Sequence, residues 1–426
     1  MRGIFYYHSM AGIILSAMCL SSCSDNSAIE KGDDAVENKP ETVEQKPIVL
    51  SDSERAVSTA VNTFGLESFA ELLKDDNLRN SSFVYSPLSL SLNLALCQTG
   101  ARGETARQIQ STLGFENMVA GGELESYYRK ISKGLAAVDT TVTFNSANAV
   151  WGDIPVVFNN VFAEKADAFF GTSLETLDMH SDGAIDVINR WCGEKTDGMI
   201  PQLFSRPWDD TPLVLIANAL CFNAKWPKGL TPSVKDGIFH SLAGDVSLPF
   251  LKFEGFFLCF ETDSFQAISI PYGNGSYKIL LAMPREGKTV QDVVLNIGDS
   301  VSDIISLVED SIIYNVDCSF PEFKIDAADI HLRNMLEKVG MVNPFYQGIA
   351  DFGAMANCDD LFITDILQKA CIDVNKEGTS AAAATASDVG SFNPEQEPRE
   401  LTIDRPFFFM VYEIGSGTIL FEGQKI

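Results

Sequence analysis

Chemistry in this 426-residue chain could reside in its four histidines, its nine cysteines, a few glycine-rich turns, or one run of very small residues near the C-terminus. His8 lies in an apolar leader, and His180, His240 and His331 stand in no H-E-x-x-H or similar frame, so no metal-assisted hydrolysis is read from them. The cysteines beyond residue 23 are Cys97, Cys192, Cys221, Cys259, Cys318, Cys358 and Cys371, with no C-x-x-C pair and no zinc spacing. Most sit in apolar runs such as Leu94-Ala95-Leu96-Cys97, where a thiol behaves as a small hydrophobe. Buried free thiols fit this pattern; an exported chain is also compatible with one disulfide, and sequence does not choose its pair. Gly287-Lys288-Thr289 has Ala282 where a phosphate loop needs its first glycine, and Gly273-Asn274-Gly275 lacks the third glycine of a dinucleotide fingerprint, so both read as turns. No G-x-S-x-G elbow occurs. No cofactor, no metal site and no catalytic residue is read, and the chain is expected not to be an enzyme.

What remains is Val374-Asn375-Lys376-Glu377-Gly378-Thr379-Ser380-Ala381-Ala382-Ala383-Ala384-Thr385-Ala386, a strand-like approach followed by a glycine and then small residues. The polar segment Ser387 to Arg399 follows it. By propensity alone, the alanine run would be a short exposed helix and a linker.

The elements around this run are mixed. Ser51 and Glu54 form a capping box ahead of Val57, Ala60, Val61 and Phe64 at helical spacing. Ser86-Pro87 places an N-cap before a proline at the first helical position, and Leu88 to Cys97 is apolar nearly all round, as in a buried helix that Gly100 and Gly103 stop. Further helices are predicted over Glu104 to Leu113 and Ala184 to Lys195. Strands are predicted at Val214 to Phe222, Phe256 to Phe260, Ala267 to Ile270, Tyr277 to Met283, Ile312 to Phe320, Leu401 to Ile403, Phe407 to Ile414 and Thr418 to Glu422. The class is α+β, with sheets dominating the C-terminal half.

At 46% hydrophobic residues the chain can bury a large core, and no Pro, Ser or Gly-rich linker divides its body, so one large domain is expected. A net charge of −27 repels a phosphate backbone and excludes nucleic acid as a partner. Residues 1–22 read as a signal peptide: Arg2 precedes an apolar run, Met10 to Leu20, that is too short to span a bilayer. Leu20-Ser21-Ser22-Cys23 resembles a bacterial lipobox, which implies lipid attachment at Cys23; an ordinary secretory peptide cut nearby is the alternative. Residues 23–50 read as a lipid-anchored, acidic, flexible tether and residues 51–426 as the folded domain.

The Gly378 to Ala386 run closely matches the hinge of the reactive loop of serpins, the serine protease inhibitor family. Phe83-Val84-Tyr85-Ser86-Pro87-Leu88-Ser89-Leu90, Ile188-Asn189-Arg190-Trp191, Asn218-Ala219-Leu220-Cys221-Phe222-Asn223-Ala224-Lys225-Trp226, Phe320-Pro321-Glu322-Phe323 and Asp404-Arg405-Pro406-Phe407-Phe408-Phe409 resemble further blocks of that family, in its order. The resemblance implies a single large serpin domain of three β-sheets with surrounding helices and an exposed reactive-centre loop, about residues 376–400. It also implies a monomer that traps its target serine protease covalently: the protease cleaves the loop, and the freed part enters the main sheet as an added strand. The implied hinge is Gly378, Thr379, Ser380, Ala381, Ala382, Ala383, Ala384 and Thr385, and the implied sheet-opening region Ser86, Ser89, Asn218, Trp226 and Gln368. Where the family often has a histidine, this chain has Gln368. The family's spacing from the hinge glycine puts the reactive bond at Phe392-Asn393, which suits chymotrypsin-like or subtilisin-like proteases. A cysteine protease target and a non-inhibitory carrier role are the alternatives. Along an inserted strand Thr379, Ala381, Ala383, Thr385, Ser387, Val389 and Ser391 share one face, none of them large or charged, while Asp388 falls on the other. Together these readings imply an exported protein, lipid-anchored to a bacterial outer membrane, periplasmic or at the cell surface.

Overall fold

The computed structural model describes residues 47–426 apart from 117, 119–121, 205–212, 301–311, 359 and 379–397. The expected capping box opens the first helix: Glu54 donates its N–H to Ser51 Oγ at 3.3 Å, and Ser51 donates its own to Glu54 Oε2 at 2.8 Å. Helices are α1 (Asp52–Leu72), α2 (Asp76–Arg79), α3 (Pro87–Gly100), α4 (Gly103–Thr112), α5 (Glu123–Leu135), α6 (Asn160–Phe170), α7 (Ala184–Lys195), α8 (Val290–Ser300) and α9 (Arg333–Lys338). Gly103 does not belong to the stop of α3. It opens α4 at φ 51°, a left-handed value that favours glycine. The ordered body also begins before Ser51, because Ile48 and Leu50 at the end of the expected tether are buried in the core.

The strands are β1 (Phe83–Tyr85), β2 (Thr143–Asp153), β3 (Thr172–Leu177), β4 (Val214–Asn223), β5 (Ser233–Ser241), β6 (Gly244–Glu261), β7 (Phe265–Tyr272), β8 (Tyr277–Pro284), β9 (Ile312–Pro321), β10 (Phe323–Ile325), β11 (Ile330–His331), β12 (Leu367–Val374), β13 (Arg399–Thr402), β14 (Phe407–Glu413) and β15 (Thr418–Lys425). Hydrogen bonding joins them into two networks rather than three separate sheets. The larger runs β1-β15-β14-β8-β7-β6-β9-β13, with β5 on β6. Two sheets are continuous there because the 18-residue β6 pairs with β5 along its first half and with β9 and then β7 further on. The smaller runs β10-β12-β4-β2-β3, with β11 on β12.

Alternation sets what each face of the smaller sheet meets. On β4, Leu220 and Phe222 join the main core, while Ala217, Ala219 and Cys221 join a second apolar cluster with Ile188 and Cys192 of α7. On β12, Ala370, Ile372 and Val374 face the main core, and Cys371 faces the α7 side. The chain ends meet in the larger sheet. β1 pairs with β15, Phe83 opposite Gln424, and Asn62 of α1 donates to the Gly417 carbonyl at 2.6 Å.

Candidate functional site: a parting between two parallel strands

β12 and β4 are parallel neighbours, in register from Asn218 opposite Gln368 to Cys221 opposite Cys371. Among the described residues that ladder ends at Cys371. Beyond it, Ile372, Asp373 and Val374 pair with β10 on the far side, and Phe222 and Asn223 pair with β2. The two strands therefore part over their last residues, and the chain turns back at the mouth of the parting.

The turn is a tight hairpin. Asn375 and Gly378 exchange both backbone hydrogen bonds at 3.0 Å across Lys376 and Glu377, and Gly378 also bridges Lys225 in antiparallel sense. Glycine is required there: φ is 104°, and a Cβ would lie 2.4 Å from Lys225 Cα and 2.5 Å from the Ala224 carbonyl oxygen. Trp226 roofs the mouth. Its Nε1–H donates to the Asn375 carbonyl at 2.9 Å, while its ring stacks on Tyr272 with centroids 4.7 Å apart and meets Phe253 edge-on at 4.8 Å.

At the other end of the ladder, Gln368 closes a ring with Ser86. The Ser86 N–H donates to Gln368 Oε1 at 2.8 Å, and Gln368 Nε2 donates to the Ser86 carbonyl at 3.0 Å. Ser86 Oγ donates to the Leu420 carbonyl at 2.6 Å and accepts the Ser89 N–H at 3.3 Å as the cap of α3. Gln368 thus ties β12 to the start of α3 and, through Ser86, to β15. Asn218 lies in register with both Gln368 and Asn148, and its amide donates to Asn148 Oδ1 at 2.5 Å. On the α7 side, Lys369 pairs with Asp329 at 2.7 Å and donates to the Gln202 carbonyl at 3.3 Å, which holds the segment after α7 against β12.

Of the site residues expected from sequence, Trp226 and Gly378 are thus brought to the mouth of the parting, and Ser86, Ser89, Asn218 and Gln368 to the closed end of the same ladder. The hinge residues Thr379, Ser380, Ala381, Ala382, Ala383, Ala384 and Thr385, the bond Phe392-Asn393, and Cys23 lie outside the described residues. Residues not singled out from sequence are Lys225, Asn375, Asn148, Lys369 and the facing thiols Cys221 and Cys371. The thiols carry one available signal: each stands three positions after a residue of the Asn218–Gln368 pair, an equal offset that parallel pairing requires.

The sequence model of the serpin (serine protease inhibitor) family matches residues 59–426. The chain belongs to the serpin family. It is 29% identical over 386 residues to an uncharacterised serpin-like protein of Thermococcus kodakarensis, with 89% of this chain and 87% of that protein covered. It is 28% identical to plasminogen activator inhibitor 1 of Neovison vison, covering 87% of this chain and 92% of the relative. For leukocyte elastase inhibitor A of Rattus norvegicus the identity is again 28%, with 86% and 98% covered. Among solved structures, the fold is similar to that of the thermophilic serpin tengpin in its native state, with a TM-score of 0.77, 24% identity and 90% and 95% of the two chains covered. It is likewise similar to native protease nexin-1, with a TM-score of 0.76, 24% identity and 88% and 99% covered. Serpin relatives are in general protease inhibitors rather than enzymes.

Proposed function

We propose that this serpin is inhibitory and traps a serine protease of the chymotrypsin or subtilisin type as a covalent acyl-enzyme, by insertion of its cleaved loop between β4 and β12. One observation carries the reading. The loop root is already docked as the first residue of a new strand, with Gly378 bridged both to Lys225 and to Asn375 at the mouth of the parting. Continuing these two registers seats Ala382 between Cys221 and Cys371, and Thr385 between Asn218 and Gln368. The inserted chain runs antiparallel to both neighbours, so one parallel contact is exchanged for two antiparallel ladders, the stronger arrangement per residue.

Small side chains make this passage open. Thr379, Ala381, Ala383 and Thr385 would face the main core, where a large or charged residue has no room and an unpaired charge is costly. Fourteen residues, Thr379 to Phe392, run from Gly378 to the reactive bond. At about 3.3 Å each they carry an attached protease roughly 45 Å. At about 1 kcal/mol net per ladder bond they release on the order of ten kcal/mol. Phe392 would fill the large apolar pocket of the protease, and the bond to Asn393 would be the one cut.

The protein is incubated with a chymotrypsin-like protease, resolved on a denaturing gel, and its released fragment sequenced. A band at the combined mass with a fragment beginning at Asn393 is expected. Complete cleavage with no such band would turn the reading to a substrate or a non-inhibitory serpin. We further propose that the molecule acts as a monomer held to a membrane by lipid at Cys23. Cys23→Ala should release it from the membrane fraction.

A further inference from the structure

The two strands that must separate carry facing thiols at the first position where separation is needed. Cys221 and Cys371 are register partners in the parallel ladder, their Sγ atoms 3.6 Å apart, both buried under α7. Neighbouring strands lie about 4.8 Å apart, inside the Cα range of about 4.4–6.8 Å that a disulfide spans. With a strand between them the same residues would stand about 9.6 Å apart, beyond the reach of a disulfide. Cross-linking and insertion therefore exclude one another at this pair.

We infer that Cys221 and Cys371 form a disulfide-forming site that locks the sheet closed, so that oxidation turns the proposed inhibitor into a mere substrate. The inference rests on the insertion reading above. The oxidant is a small or protein disulfide, RSSR. A thiolate of the pair attacks one sulfur of RSSR and releases RS⁻; the second thiolate then attacks the mixed disulfide at the bound cysteine and releases another RS⁻. Two thiols lose two electrons and two protons, and RSSR becomes two RSH. The hydrogen bond between the two thiols is the largest cause that lowers the Cys371 thiol and raises that of Cys221. Cys192 of α7 lies in the same apolar cluster and is the competing partner. In the locked form insertion stops after Ala381, because Ala382 is the residue that would pass between the two sulfurs.

The full-length protein is equilibrated with oxidised glutathione, free thiols are alkylated, and a non-reducing digest is mapped by mass spectrometry. The sample is also challenged with a chymotrypsin-like protease before and after dithiothreitol. A Cys221–Cys371 linked peptide is expected, with loss of the gel-stable complex and its return on reduction. Cys371→Ala and Cys221→Ala should each keep complex formation in oxidant. Protein cleaved in the loop beforehand should give no linked peptide. A linkage to Cys192 instead, no linkage at all, or a linked protein that still forms complex would overturn the inference. Reduced protein that neither traps protease nor gains thermal stability on loop cleavage would overturn the insertion reading itself, and the peptide map would still decide the cross-link.

Discussion

Glu422 is a residue that this fold tolerates at a cost. It is fully buried in β15, and neither carboxylate oxygen has a hydrogen-bond partner among the described residues. Burial pushes its carboxyl well above the ordinary value of 4.5, so the folded protein keeps a proton that the unfolded chain gives up. Below about 4.5 both states are protonated; as pH rises from there toward the folded value, the unfolded chain alone releases its proton and stability falls. Glu413 is raised by burial in the same direction, partly offset by bonds from Ser416 and the Gly415 N–H. Glu422→Gln should therefore raise the melting temperature at pH 7 and lose that advantage toward pH 4, read by thermal melts across the range. At the hinge, Thr379→Arg should leave the loop cleavable and abolish the gel-stable complex, because the guanidinium would have to enter the core face of a closing sheet. Single residues were legible in sequence where their role is local. The Ser86 cap and Gly378 announce themselves within a few positions, whereas Cys221 and Cys371 are 150 positions apart and meet only through the parallel register. Glu422 was illegible for another reason: alternation would give a charged residue a solvent face, but β15 is buried on both faces.

Among elements, β12 meets β4 over four register pairs, and Gln368 adds two bonds to Ser86 at one end of that ladder. Gln368→Ala leaves the buried Ser86 N–H without a partner, at about 1–3 kcal/mol, while the Ser86 carbonyl keeps the Leu90 N–H at 3.2 Å. It should lower the native melting temperature and hasten spontaneous loss of trapping activity on storage. Gln368→His, which offers two ring nitrogens in place of an amide, should fall between the two. The strongly patterned elements could be read in advance: α1 from its capping box, α3 from Ser86-Pro87, and β7, β8, β14 and β15 from their apolar runs. α5 was available too, since Leu124, Tyr127, Tyr128, Ile131 and Leu135 stand at helical spacing. β2 was not. Its sequence, Thr143-Phe144-Asn145-Ser146-Ala147-Asn148-Ala149-Val150-Trp151-Gly152-Asp153, is too polar for a buried strand, and it is extended because β3 and β4 flank it on both sides. β5, largely exposed, is held as a hairpin on β6 in the same tertiary way.

For the whole molecule, the proposal makes the native state the less stable of two folded forms. If insertion releases on the order of ten kcal/mol, limited cleavage in the loop should raise the melting temperature by on the order of 10 °C or more, measured by calorimetry on native and cleaved protein. An unchanged melting temperature after cleavage would rule out insertion. The architecture was legible in sequence as an order of family-like blocks, while periodicity alone could not show that two of the three sheets are continuous through β6. The pairing of β1 with β15 has a further meaning for how such a molecule is made. β15 lies between the short edge strand β1 and β14, more than 300 residues after α1 in the chain, and α1 needs Gly417 and Ile419 to complete its contacts. At about 5–20 residues per second, the stretch between α1 and Gly417 takes on the order of half a minute to make, and α1 lacks this partner for that time. Until β15 is delivered, α1 cannot complete its contacts, so this part of the larger sheet closes late in synthesis.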